Sequence, residues 1–142
     1  MTDTLTSRIE LIVRDYECDV QGIVNNAVYL NYLEHARHRH LLNLDIDFVE
    51  MAAHGSNMVV TRIEVDYLKP LSTGDVFTVT SLMDRLSALR FVFRQDIHIQ
   101  DGQHILSAVV TGTVIDPDGR PGIPPQLDSL LPAPPNSRLS AR

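Results

Sequence analysis

Three carboxylates, Asp15, Glu17 and Asp19, stand just before a glycine, Gly22, and a pair of asparagines, Asn25 and Asn26. The stretch that follows carries no Pro or Gly for many residues and has the spacing of a helix. A helix N-terminus presents backbone N–H groups without intrahelical partners, together with the positive end of the helix dipole. Such a place holds an anion or stabilises an oxyanion. A carboxylate beside it can act as general base, or as nucleophile, on a carbonyl polarised by those amides. A plainer reading fits the same residues: one Asp caps the helix and the others are solvated. Spacing alone favours that plainer reading.

Other reactive side chains give less. Cys18 adjoins Asp19, but no base is fixed beside it, so it reads as a structural thiol. His35, His38 and His40 lie at i, i+3 and i+5, so at most two share a helix face. No acidic or cysteine ligand completes a metal pattern there, and no metal or cofactor is expected.

The elements that must position these residues follow from periodicity. Ile9, Leu11 and Val13 alternate within residues 8–14, which predicts a first strand. Residues 15–25 are polar and loop-like. Ala27, Leu30, Leu33, Ala36 or Arg37, and Leu41 recur at three- and four-residue spacing, which predicts a helix over 26–43 capped by Asn25 or Asn26. A short second helix is expected over 46–53, ending at Gly55. Four strands then follow, around 59–67, 76–83, 89–99 and 103–116, separated by turn residues such as Pro70, Gly74 and Asp101-Gly102. The order strand, helix, four strands predicts an α+β fold: a curved antiparallel sheet of about five strands wrapped around one long helix. Six of the eight prolines fall after Arg120, so residues 1–120 are expected to form the domain and 121–142 a partly loose tail.

Composition bounds the function. The chain has 142 residues, 44% hydrophobic and 21% charged, which is enough for one cored domain. A net charge of −6 argues against nucleic acid as the main partner. No apolar run approaches the roughly 20 residues of a membrane helix. The first residues show no signal-peptide core, and the one cysteine suits a reducing, cytoplasmic setting. A sheet with open edges predicts pairing between copies, as a homodimer or homotetramer.

The run Asp19-Val20-Gln21-Gly22-Ile23-Val24-Asn25-Asn26, followed by Tyr29, Tyr32 and Glu34-His35-Ala36-Arg37, resembles the signature of hotdog-fold thioesterases of the 4-hydroxybenzoyl-CoA and acyl-CoA thioesterase type. The resemblance continues through residues 63–70, Asp84-Arg85-Leu86-Ser87 and Phe91-Val92-Phe93, and so spans about residues 8–115. The Val-Asn-Asn-Ala-x-Tyr-Leu run is most similar to the long-chain acyl members. The resemblance implies hydrolysis of a thioester of coenzyme A or acyl carrier protein. It implies that Asp19 is the catalytic carboxylate and that a backbone N–H near Asn25 or Asn26 polarises the carbonyl. Gly22 then lets the turn approach the substrate, while Asp15 and Glu17 are solvated or structural.

Tyr29 and Tyr32 read as packing residues or as part of the acyl pocket. Glu34 reads as a helix-surface partner of Arg37 or His38, or, under the resemblance, as a residue near a dimer interface. Coenzyme A carries phosphates, for which Lys69, Arg85, Arg90 and Arg94 are candidates, with solvated surface charge as the alternative for each. Two other functions compete. A hydratase or dehydratase of the same fold pairs an Asp with a nearby His, and here none follows Asp19 until His35. A non-catalytic acyl-binding protein has no need of Asp19.

Overall fold

The computed structural model describes residues 5–134. The first strand, β1, spans Thr6–Ile12. The long helix α1 runs Asn26–Asn43 and is followed by α2, Phe48–Ala53. Strands β2 (Asn57–Tyr67), β3 (Val76–Arg85), β4 (Phe91–Ile99) and β5 (His104–Ile115) complete the main sheet. A two-residue strand β6, Pro121–Gly122, and a one-turn helix α3, Pro125–Asp128, follow. The strand order is β1-β3-β4-β5-β2, antiparallel throughout, with β6 on the end of β5. The sheet therefore leaves β1 and β2 at its edges.

One face of this sheet carries α1. Along β3, Phe77, Val79, Ser81 and Met83 are buried while their neighbours face outward, the period-two pattern of a half-covered strand. The buried face of α1 is Tyr29, Tyr32, Leu33, Ala36, Arg37, His40 and Leu41. Its spacing alternates three and one along the helix, one stripe of a 3.6-residue repeat. The stripe is polar in part, and its polar members are partnered. The Arg37 guanidinium donates to Gln95 Oε1 at 3.1 Å, and the Gln95 amide donates to the Leu33 carbonyl and to Ser81 Oγ. His40 Nδ1 lies 2.7 Å from Ser7 Oγ. Burial holds the Arg37 pKa below its usual range, with Glu34 pulling the other way.

The chain beyond Arg120 departs from the loose tail expected from its prolines. Leu127 and Leu131 are 1% and 7% exposed and join a core cluster with Met51, Met83, Phe91, Phe93 and Val110. Arg85, expected as a phosphate ligand, is instead buried and spent on this segment. Its guanidinium lies 2.6 Å from Asp128 Oδ1 and also donates to the Pro132 carbonyl. Proline removes amide donors and forbids long regular elements, but it does not prevent docking when two leucines fill an apolar groove. The last part of the expected tail, 135–142, lies outside the described residues.

Candidate active site

The loop before α1 is tied down by its backbone. A 3₁₀ turn, Asp15–Glu17, leads into a small bridge between Cys18 and Val24. The Asp19 amide donates to the Ile23 carbonyl at 2.9 Å, and the Gly22 amide donates to the Asp19 carbonyl at 3.0 Å. Gly22 takes φ +82°, a left-handed conformation that glycine adopts without strain. Val24 is 3% exposed and bonds to the Leu71 carbonyl, which pins the loop to the core just ahead of the helix.

This frame leaves Asp19 at the surface with a defined direction. Its Oδ1 accepts the Gln21 amide at 2.8 Å, an Asx turn. Its other oxygen accepts no hydrogen bond from the described residues. Two asparagines, offered together by the sequence, separate into distinct tasks. The Asn25 side chain caps α1 by accepting the Ala27 amide at 3.0 Å, and its own amide is used on the Glu17 carbonyl. The Asn26 amide, at the first helical position, has no acceptor among the described residues. It is the donor left over for a ligand, at the positive end of the helix dipole.

Asp19 and Asn26 line one groove of about 420 Å³, together with Ile23, Tyr29, Tyr67, Leu68 and Lys69. Tyr29 contributes its ring; its hydroxyl is buried and accepts the Leu71 amide at 2.9 Å. Burial raises the Tyr29 pKa, so the phenol stays neutral. The sequence marks Tyr67 as a strand residue and gives it no site role. Its hydroxyl donates to the Asn26 carbonyl at 3.1 Å and its ring meets Tyr29 edge-on at 5.5 Å. It sits at an alternating position of β2 that reads as ordinary strand; only the contact across 41 residues marks it.

The remaining candidates disperse. Tyr32 shares the buried stripe of α1 with Tyr29, ring edge to ring face at 6.1 Å, but it does not line the Asp19 groove; its hydroxyl donates to Glu17 Oε1 at 2.9 Å. Burial first, and then this bond to a carboxylate, push its pKa well above that of an ordinary phenol. Glu17 also accepts the Arg14 amide, so it is engaged in holding the loop. Asp15 is exposed at the start of the 3₁₀ turn. Glu34 lies eight residues after Asn26, about 12 Å along the helix axis, at the rim of a separate pocket. Of the four cations proposed for phosphate, Lys69 alone lines the Asp19 groove. Arg90 and Arg94 are exposed on the β3–β4 turn and on β4. The three histidines of α1 part company: His35 is exposed, His38 stacks on Phe48 at 4.6 Å, and His40 is buried against Ser7. Cys18 Sγ sits 3.3 Å from Thr73 Oγ1.

An exposed carboxylate and a free amide at a helix N-terminus, in one groove, can hold a carbonyl and attack it. Comparison with known proteins points the same way. Residues 13–136 match the family described as the thioesterase-like superfamily. The chain is 38% identical over 114 residues to the acyl-acyl carrier protein thioesterase ATL3, chloroplastic, of Arabidopsis thaliana; the match takes in 80% of this chain and 60% of that protein. It thus spans about three fifths of that relative's length. It is 37% identical over 108 residues to the long-chain acyl-CoA thioesterase FadM of Escherichia coli, covering 75% of this chain and 81% of that one. Among solved structures, Slr0204, a 1,4-dihydroxy-2-naphthoyl-CoA thioesterase from Synechocystis, superposes with a TM-score of 0.83 at 18% identity, covering 89% of this chain and 95% of that chain. At that identity the likeness speaks for the fold, a hotdog sheet around a central helix.

Proposed function

The chain belongs to the thioesterase-like superfamily, and on that premise we propose that it hydrolyses an acyl thioester, of coenzyme A or acyl carrier protein, to free acid and thiol. The observation that carries this reading is the pairing of the Asp19 carboxylate with the unused Asn26 amide in one groove. The thioester oxygen accepts the Asn26 N–H. As the carbonyl carbon becomes tetrahedral, its oxygen gains charge at the positive end of α1, where a fixed donor stabilises it without reorganisation. Asp19 supplies the attack. Either its oxygen adds to the carbonyl carbon and expels the thiolate, leaving an anhydride that water cleaves, or it takes a proton from a water that adds in its place and passes that proton to the thiolate as the tetrahedral intermediate expels it. Both routes use the same two groups and return Asp19 as carboxylate. No histidine lines the groove, which speaks against the hydratase reading.

Lys69, on the rim, is the cation best placed to meet a phosphate of the carrier arm. A second copy of the chain belongs in this reading. Strand β2 is an edge strand with exposed Val60, Ile63 and Tyr67, and pairing two such edges would continue the sheet and wall the groove. A reducing, cytoplasmic setting suits a single cysteine. The test is steady-state hydrolysis of acyl-CoA by Asp19→Asn, with circular dichroism to show folding. A loss of roughly 10²–10⁴-fold is expected for a positioned carboxylate. Near-normal turnover in the folded variant would overturn the assignment.

A further inference from the structure

The direction of the Asn26 amide is fixed from inside the helix. A trans peptide sets the Asn26 N–H opposite the Asn25 carbonyl, and that carbonyl accepts the Val28 amide at 2.9 Å. Bonds within α1, however, do not fix where its first turn stands against the sheet. An oxyanion donor must also keep its distance from the groove wall, where the rest of the substrate lies. That wall is firm. Tyr67 pairs with Leu106 across β2 and β5, and the Leu68 and Lys69 amides donate to the Ile105 carbonyl at 2.9 and 3.1 Å. From this wall the Tyr67 hydroxyl reaches the first turn of α1, donating to the Asn26 carbonyl at 3.1 Å. Among the described residues it is the one hydrogen bond from β2 to that turn.

Nothing in the local fold demands this bond. Asn26 is the first residue of α1, so the helix ladder takes one lone pair of its carbonyl and the phenol takes the other. The Tyr67 side chain stands at the end of an edge strand and is 49% exposed, so burial does not force its hydroxyl to find a partner. The ring is aimed all the same. It meets Tyr29 edge-on at 5.5 Å, and Tyr29 is itself buried and held by the Leu71 amide. The Leu71 carbonyl in turn holds the Val24 amide, so the same aromatic pair ties the end of the Asp19 loop to the wall. Resting on the thioesterase reading, we infer that Tyr67 is a positioning residue: its hydroxyl holds the first turn of α1 at the groove wall, where the Asn26 amide meets the thioester oxygen. A rigid support of this kind lets the donor act without moving as charge develops.

Tyr67→Phe deletes the hydroxyl and keeps the ring on Tyr29; Tyr67→Leu removes both. The experiment measures kcat and KM of wild type and both variants on whichever of butanoyl-, octanoyl- and hexadecanoyl-CoA wild type turns over fastest. Melting temperature and sedimentation are recorded for each. Tyr67→Phe should lose about tenfold in kcat, with KM within about twofold and with melting temperature and sedimentation unchanged. Tyr67→Leu should lose more in kcat and some melting temperature with it. The carbonyl itself gives the direct readout. In the Asp19→Asn background, difference infrared spectra of the same thioester, isotope-labelled at its carbonyl carbon, should place the bound band below its frequency in water. Adding Tyr67→Phe should move that band back towards the frequency in water. An unchanged kcat with an unmoved band overturns the inference and leaves the thioesterase reading standing. So does a rise in KM at constant kcat, which would mean that the hydroxyl meets the carrier arm. So does a change in sedimentation with the band unmoved, which would mean that the phenol serves the pairing of two copies. Absence of hydrolysis by wild type on all three thioesters overturns the thioesterase reading itself.

Discussion

The loop at residues 15–26 and the segment at 121–132 are built from similar material, rich in Asp, Gly or Pro, and both lie outside the main helices and strands. They end in opposite states. In the first, backbone bonds carry the structure and the Asp19 carboxylate is left at the surface with one oxygen unused. In the second, side chains carry it: Leu127 and Leu131 are buried, and Asp128 is paired with the buried guanidinium of Arg85. In the first loop Glu17 and buried Val24 assist the backbone bonds, so Asp19 is left available for chemistry. Where the loop is held by burial, its carboxylate is consumed in satisfying a buried cation.

The contrast is broken most directly by exchanging which carboxylate is lost. Asp19→Asn should cost roughly 10²–10⁴-fold in turnover with an unchanged melting temperature. The mirror experiment truncates the other segment. Leu127→Ala should cost about 2–4 kcal/mol of stability, read as a lower denaturant midpoint, while kcat stays near normal. If Leu127→Ala leaves stability unaltered, the segment is not part of the core.

Smaller effects sharpen the picture. Asn25→Ala removes the cap of α1 and should cost about 1 kcal/mol. It should also lower kcat, because the Asn26 amide is aimed by that first turn. A stability loss with kcat unchanged would show that the amide is held by the loop alone. Asp128→Asn should cost no more than about 1 kcal/mol, since the carboxylate is half exposed and an amide oxygen can still accept from Arg85. Its rate should match wild type.

The smallest effect is a pH dependence. Tyr32 has its folded pKa raised by burial and by Glu17. The folded state therefore holds its proton more tightly than the unfolded chain, and this contribution is intact below the unfolded phenol value of 10. It is lost as pH rises above that value. Melting temperature should fall more steeply above pH 10 in wild type than in Tyr32→Phe. Parallel slopes would mean that the hydroxyl is no longer buried against Glu17.

Much of the fold is legible in the chain because it is local. The alternation in β3, β4 and β5 and the capping asparagine before a Pro-free run each follow from neighbours within a few residues. The element order agrees with the periodicity and differs from it only at the ends, as where β2 starts at Asn57 rather than at Val59. The stripe of α1 differs from the expected one at two positions. Leu33, Ala36 and Leu41 are buried as expected, as are Arg37, the alternative to Ala36, and Tyr29 and Tyr32, which read as packing residues; His40 is buried too, while Ala27 is exposed. Hydrophobicity alone misjudges a helix whose core face includes an arginine satisfied by Gln95 and a histidine bonded to Ser7.

What the sequence by itself determined is a turn containing Gly22 and a helix start capped by Asn25 or Asn26, with Asp19 just ahead of it. These depend on spacing along the chain, so no tertiary knowledge was needed. Which of two asparagines offers a free amide, that Tyr67 closes the groove from β2, and that Arg85 serves the C-terminal segment rather than a phosphate were decided only in three dimensions. Each depends on which groups use up one another's hydrogen bonds, in the last two across some forty residues of sequence, and such pairing is settled by how helix and sheet pack, not by periodicity.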